Sequence, residues 1–548
     1  MRGLSTGCVA GLANLLIAEA VTDVAIEVGA FGIRLQEFPI GWQGNVEVVI
    51  NCAVAELHIE QASIRRVQHR SQSCGVQGDA VHELRLGTIV AKPTGWRKTL
   101  GSVYVWGMTS PDWNSILDLY QKTVSVGVLC YWQKQAGTKV RRGVYSAQVV
   151  LWLMMLQRLQ AGGTLAHAVQ LLMQGAAEPL LQNCKRVRQR RISARTGGYC
   201  QARQKLPKLL CRQVAQEIVE QLRKILHPEG GQPSVFLLDG STLELEHGGD
   251  LVSCYPPAHN QHGRSHWPVL RMVVLHDVDS GLAQEPCWGP MYGAHAVSEQ
   301  SLAEKAMASL PSNAVILGDR NFGILWVAHA AQQRGLGVLL RLTEARARKL
   351  AGRIAQPGEH RILWKASRWD GGKDRRLPPD AAVQGRLIVA RVGRGKSKQW
   401  LYLFTTLDLS AKALVELYGR RWNIETDLRS LKRTVRLHHM TAKSEEMLEK
   451  ELRMAVSAYN LVRAVMCLAA RRSRIDPRQL SFSQVLNVVN CAWPKLIAAA
   501  TSQEHHREFA RVLEFAAQCT LPRRSKRRSY PRLLWRRRPG FPHRKGED

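Results

Sequence analysis

The chain has 548 residues, enough for about three domains of ~150 residues each, and 45% of them are hydrophobic, which excludes global disorder. Lysine and arginine number 77 against 44 acidic residues, a formal net charge of +33. A balance that basic points to a polyanion, with nucleic acid ahead of an anionic membrane surface, because neutralising phosphates releases counterions.

Residues 1–100 carry no motif and read as an uncharacterised extension. Residues 101–230 read as helical and basic. YSAQVVLWLMMLQRLQAGGTLAHAVQLLMQG (145–175) predicts two helices broken at Gly162-Gly163, with its Leu and Met stripe in the core. Residues 179–216 hold ten Lys or Arg and no acid, and this run is expected to contact a DNA backbone.

Strands and helices alternate over 231–342. SVFLLDG (234–240) predicts a buried strand ending at Asp239. VLRMVVLHDV (269–278) and the segment around Gly281–Trp288 predict two more. Ser298–Leu310 has helical spacing, with Ser298 as cap and Glu299 in the first turn. NAVILGD (313–319) predicts a strand ending at Asp319, ILWVAHAAQQRG (324–335) a helix stopped by Gly335, and LGVLLRL (336–342) a strand. The sum is a mixed α/β layer. Residues 343–410 read as a β-rich insertion, 411–475 as helical, 476–520 as a helical C-terminal region and 521–548 as a disordered basic tail. No stretch reaches ~18 uninterrupted apolar residues, so no membrane span is expected. The twelve cysteines show no CxxC pair and read as reduced thiols, not a zinc site.

Strand ends in α/β folds hold functional groups at the sheet edge. A single Asp there is more often a turn former; two of them, Asp239 and Asp319, in this strand order draw attention. A third acid lies in LVELYGRRWNIETDLRSLKRTVR (414–436). Read as one helix at ~100° per residue, this segment puts Tyr418, Arg421, Glu425, Arg429, Lys432 and Arg436 on one face, flanked by Leu417, Ile424, Leu428, Leu431 and Val435. One carboxylate among cations suits a metal ligand surrounded by phosphate clamps. Asp427 falls ~200° from Glu425 and should face away; Glu244, Glu246 and Glu299 are alternative carboxylates. Three carboxylates suit two Mg²⁺ ions about 3.5–4 Å apart, which serve in-line displacement at phosphorus.

The spacing Tyr418-x2-Arg421-x3-Glu425-x6-Lys432 resembles the Y-R-E-K signature of the insertion-sequence-four family of bacterial DDE transposases. LLDGSTLEL (237–245) and GDRNFG (318–323) resemble that family's two Asp motifs. YPPAHNQHGRSHWPV (255–269), WGPMYGAHAVSEQ (288–300) and KSEEMLEKELRMAVSAYNLVRAVM (443–466) add to a likeness covering roughly 140–470. The resemblance implies an RNase H-like catalytic core with a β-rich insertion, flanked by helical N-terminal and C-terminal regions. It implies that Asp239, Asp319 and Glu425 are catalytic and bind Mg²⁺, with Mn²⁺ substituting, and that Tyr418, Arg421 and Lys432 contact DNA phosphates. It further implies cut-and-paste transposition, double-stranded DNA as partner (terminal inverted repeats and target), a homodimer in the synaptic complex, and a nucleoid-associated place in the bacterial cytoplasm. Trp364, Trp369 and Trp400 lie in the insertion, where one could stack on a flipped base, although core packing is the better expectation for each. Two rivals stand beside this reading: an RNase H-like nuclease without strand transfer, and a decayed copy that binds DNA without cutting it. None of the three carboxylates is lost, which weighs against decay.

Overall fold

The computed structural model describes residues 116–522, apart from 139–142, 161–162, 182–183, 190, 227–232, 261–262, 353–355, 368–376, 394–398 and 500. The expected N-terminal extension, the basic tail beyond 522, Gly162 and Trp369 lie outside the described residues.

Residues 116–226 build helices: α1 (Ile116–Thr123), α2 (Val126–Gln135), α3 (Ala147–Leu159), α4 (Leu165–Met173), the short α5 (Lys185–Arg188), α6 (Gly197–Lys205) and α7 (Lys208–Leu226). The side chains of Ser125, Ser146 and Thr164 cap α2, α3 and α4 by accepting from the N–H three residues on. Helix α3 is apolar nearly all round and correspondingly buried from Val149 to Leu156. It breaks from α4 where expected, with Gly163 at φ +56°.

The sheet follows, in chain order β1 (Val235–Glu244), the short α8 (Leu251–Cys254), β2 (Pro257–Asn260), β3 (Gly263–Asp277), β4 (Cys287–Pro290), α9 (Glu299–Met307), β5 (Val315–Gly318), α10 (Leu325–Gln332) and β6 (Gly337–Arg341). Strand β1 pairs antiparallel with β3 and parallel with β5. Strand β3 also carries β4 antiparallel, and β5 pairs parallel with β6. The order β4-β3-β1-β5-β6, in which β4, β3 and β1 pair antiparallel and β1 also begins the parallel set β1, β5 and β6, fits the expected RNase H-like arrangement. The hairpin strand β2 has no counterpart among the predicted strands.

The insertion contains a helix, α11 (Glu344–Ala351), that its β-rich composition conceals, then β7 (Gly358–Lys365), β8 (Ala382–Val392) and β9 (Gln399–Thr405). These strands extend the core sheet, because β9 pairs antiparallel with β6 from Leu339↔Thr405 to Arg341↔Leu403.

Alternation along the strands divides the core in two. Phe236, Leu238 and Ile316 pack with Leu302 and Ala303 of α9 and with α10. Leu237 and Leu317 face the other way, into a cluster that includes the C-terminal helices. Those are α12 (Ala411–Gly419), a 3₁₀ turn (Arg420–Trp422), α13 (Asn423–Arg429), a π turn (Ser430–Thr434), α14 (Glu445–Arg472), a 3₁₀ turn (Pro477–Gln479), α15 (Phe482–Ala498) and α16 (Ser502–Gln518).

Helix α14 is long and apolar enough to cross a membrane, but its apolar window is entirely buried in protein, as befits a core helix. Three of its buried charges, Lys450, Glu451 and Arg453, are ion-paired, as burial demands. Glu451 meets Arg158 at 2.6 Å and also Arg203, and Arg453 meets Glu285 at 2.9 Å. Lys450 meets Glu446 at 2.8 Å and donates to the Gln204 carbonyl at 2.9 Å.

Candidate active site

The sequence predicts a strand ending at Asp239, but β1 runs on to Glu244. Antiparallel pairing with β3 continues to Glu244↔Val269, so polar residues 240–242 stay in the ladder. What stops at Asp239 is the parallel pairing with β5, whose last pair is Leu238↔Gly318. Paired strands lie ~4.8 Å apart, and Asp239 and Asp319 take the next position on each. Asp239 falls on the same face of β1 as Leu237, toward the C-terminal helices.

Local amides fix both carboxylates. Asp239 Oδ1 accepts from the Gly240 N–H at 2.8 Å. Asp319 Oδ1 accepts from the Asn321 N–H at 2.8 Å, and its carbonyl accepts from Gly323 at 3.0 Å, closing a tight turn. Burial pushes the Asp239 carboxyl up to about 6, and the charges of Asp319 and Glu299 add to the rise against the opposing Gly240 amide and Arg421.

The segment 414–436 is not the single α-helix that its periodicity predicts. A 3₁₀ turn and a π turn interrupt it, and each changes the rotation per residue from the α value. Arg421 is buried, and its charge acts on Asp239 while its guanidinium meets Glu425 at 3.5 Å. Glu425 is exposed, with 45% of its side-chain surface accessible. Tyr418 is buried near Arg421, Arg341 and Asp319; burial raises its hydroxyl pKa, and that hydroxyl has no well-formed hydrogen bond. Lys432 leans onto β1, with Nζ donating to Ser241 Oγ at 3.0 Å and to the Thr242 carbonyl at 2.9 Å. Its burial lowers its proton affinity.

Arg429 lies exposed on α13, one turn beyond Glu425. Arg436 does not share this face, contrary to the helical-wheel expectation. The helical path has ended before it, it adopts φ +61°, and its guanidinium packs against Gly163. Asp427 faces away as expected: it is buried and accepts from Arg478 Nη1 at 2.7 and 2.8 Å.

Among the described residues, no three His, Cys, Asp or Glu side chains converge as a ready ligand set. Asp239 and Asp319 come together, while Glu425 is engaged by Arg421. Two like charges crowded at a partly buried sheet end, beside a buried hydroxyl without a well-formed hydrogen bond, fit a hard dication with oxygen ligands.

Glu299 of α9 also reaches this place and accepts a hydrogen bond from Asn321 Nδ2. The sequence marks Glu299 only as one alternative carboxylate. Its usable signal is the cap at Ser298, which sets Glu299 at the helix start; Asn321 lies within the GDRNFG motif.

The basic run 179–216 divides in two. Arg203 is buried on Glu451 and holds the fold, whereas Lys208 and Arg212 are exposed and pair at the surface with Glu449 at 3.2 Å and Glu285 at 3.5 Å. Lys185, Arg186, Arg188, Arg191, Arg195 and Lys205 are exposed. In the insertion, Trp364 is buried against Phe404, whereas Trp400 is partly exposed beside Arg391.

Residues 230–461 match the family model of the transposase DDE domain. The chain is 26% identical over 306 residues to transposase InsG for insertion sequence element IS4 of Escherichia coli (strain K12). That alignment spans 53% of this chain and 65% of the relative, just under two thirds of its length. A cryo-EM structure of the piggyBac transposase synaptic complex with hairpin DNA aligns at 9% identity and a TM-score of 0.37, over 73% of this chain and 85% of that one; so loose a likeness carries no inference.

Proposed function

We propose that this chain, whose residues 230–461 match the transposase DDE domain, is the DNA transposase of an insertion sequence. It cleaves phosphodiester bonds at the terminal inverted repeats of its element and joins the ends to target DNA, with Mg²⁺ as cofactor and Mn²⁺ as a substitute. The observation that carries this reading is the meeting of Asp239 and Asp319 at the end of the β1–β5 pairing, beside the Arg421–Glu425 pair.

Asp239, Asp319 and Glu425 would hold the metal, which when bound supplies activation of the attacking oxygen and charge neutralisation at the leaving one. The protein's own groups then have distinct tasks. Arg421, now paired with Glu425 at 3.5 Å, takes a DNA phosphate as its anion and frees Glu425 to turn toward the aspartates. Tyr418 has a hydroxyl proton to give to a phosphate oxygen. Lys432, tied to Ser241 and Thr242, fastens the π turn to β1 and keeps a cation at the rim. The exposed Lys185, Arg186, Arg188, Arg191, Arg195 and Lys205 track duplex backbone, and Arg429 adds to the cationic approach. The working form is a homodimer holding paired ends, at the nucleoid in the bacterial cytoplasm.

The test is excision of a marked donor carrying the DNA that flanks this gene, in Mg²⁺, by wild type and by Glu425→Gln. Wild type should excise and rejoin, while Glu425→Gln should bind the ends and lose cutting by about 10³-fold or more. Wild type that binds but never cuts would identify a decayed DNA-binding copy. Cut ends that are never joined would identify a nuclease.

A further inference from the structure

Glu299 stands in an unusual place for an acid. Its helix, α9, covers the face of the sheet occupied by Phe236 and Leu238, opposite the face onto which Asp239 projects. From there the side chain reaches the sheet end and lies over Gly240, the residue after Asp239. A Cβ at position 240 would collide with the Glu299 carboxylate, so the missing side chain of Gly240 is the space that Glu299 fills. Gly240 has no positive φ, so the glycine here serves space and not backbone freedom.

The carboxylate accepts a hydrogen bond from Asn321 Nδ2. Asn321 is the residue whose backbone N–H holds Asp319 Oδ1 at 2.8 Å. Gln300, next along α9, donates from Nε2 to Asn321 Oδ1 at 2.8 Å and to the Asn321 carbonyl at 3.1 Å. The first turn of α9 therefore grips the Asp319 turn through a single asparagine. Ser298 caps that helix start by accepting from the Ser301 N–H at 3.1 Å, and the helix N-terminus favours an acid there. Burial raises the Glu299 carboxyl pKa, Arg271 opposes the rise and Asp319 adds to it. A partly buried acid set against two others costs stability, so its presence calls for a compensating role.

We propose that Glu299 is a positioning residue for the metal-binding pair: by holding Asn321 it fixes the Asp319 carboxylate in register with Asp239. This rests on the metal-dependent reading above. Glu299 does not need to touch the ion; it acts as outer-shell partners do when they orient a ligating carboxylate.

The measurement is Mn²⁺ binding to the full-length protein without DNA, followed by the electron paramagnetic resonance signal of free Mn²⁺. Glu299→Ala should weaken binding by about 10–100-fold. Glu299→Gln keeps an oxygen acceptor for Asn321 and should stay within about 3-fold of wild type, since the proposed role is a hydrogen bond and not a charge. Asn321→Ala should weaken binding like Glu299→Ala, and the double variant should be no weaker than either single one. If Glu299→Ala does not fold, Asn321→Ala and Glu299→Gln decide the matter. Wild-type affinity in the folded Ala variants would overturn the proposal, as would Glu299→Gln as weak as Glu299→Ala, which would assign the effect to charge. Asp319→Asn separates the two levels. If it abolishes Mn²⁺ binding while Glu299→Ala and Asn321→Ala leave it intact, only the positioning role fails. If it leaves Mn²⁺ binding unchanged, the metal-site reading itself fails.

Discussion

Asp427 is buried and Asp239 half-buried, and the molecule treats the two aspartates in opposite ways. Asp427 lies on the buried face of α13, where burial works against its ionisation but Arg478, then Arg463 and His276, overturn that and hold its carboxyl below the usual range. Asp239 sits at the sheet end, where burial and the neighbouring charges of Asp319 and Glu299 push its carboxyl up to about 6. The same division runs through the molecule. Around α14 the acids are matched by arginines, as at Glu451 with Arg158 and Arg203 and at Glu285 of the β3–β4 connection with Arg453. At the sheet end acids crowd one another. Paired charge holds the fold, and crowded charge is where the proposed cation would bind.

Breaking a bundle pair should have the largest effect on stability. Arg478→Ala strands Asp427 in a buried site and should cost about 3–5 kcal/mol, read by denaturant unfolding. At the sheet end the sign reverses: Asp239→Asn should abolish cutting yet raise metal-free stability at pH 7 by about 1 kcal/mol, the gain limited by partial solvent access.

The pH dependence separates the same two residues. The folded state raises the proton affinity of Asp239, so its stabilising neutral form contributes fully below about pH 4 and is lost as pH rises through about 6. Asp427 is depressed, so its contribution is full above about pH 4 and is lost as pH falls through its folded value. Melting curves without metal should therefore show Asp239→Asn gaining on wild type between about pH 4 and 6 and then holding its lead. The smallest effects on stability belong to the exposed bases. Replacing Arg186, Arg188 and Arg191 with Ala should leave folding within about 0.5 kcal/mol each. It should also reduce the salt slope of DNA binding by about 0.9 for each phosphate no longer neutralised. Arg203→Ala, in the same run of sequence, should instead destabilise the fold through Glu451.

The sequence shows what local chemistry dictates. SVFLL and NAVIL read as strands because apolar runs of that length, ending in Asp, have few other uses, and Ser298 announces α9. What it hides depends on distant partners. Gly240, Ser241 and Thr242 look like a turn but remain strand because β3 runs alongside them. The sheet continues into the insertion only because β9 finds β6. Composition does not distinguish the buried Arg203 from the exposed Arg188, since Glu451 lies 248 positions from Arg203. An ideal helical wheel places Arg436 with Glu425, whereas the 3₁₀ and π turns and the positive φ of Arg436 carry it elsewhere.

The most direct test of the crowded-acid site is the melting temperature of wild type and Asp319→Asn, with and without Mn²⁺, at about pH 7.5, well above the raised Asp239 value. The expected result is a wild-type Tm that rises with Mn²⁺ by mass action, and a variant whose metal-free Tm equals or exceeds that of wild type but does not respond to the ion. A wild-type Tm indifferent to Mn²⁺, or a variant that responds as strongly as wild type, would contradict the assignment of Asp239 and Asp319 as the metal-binding pair.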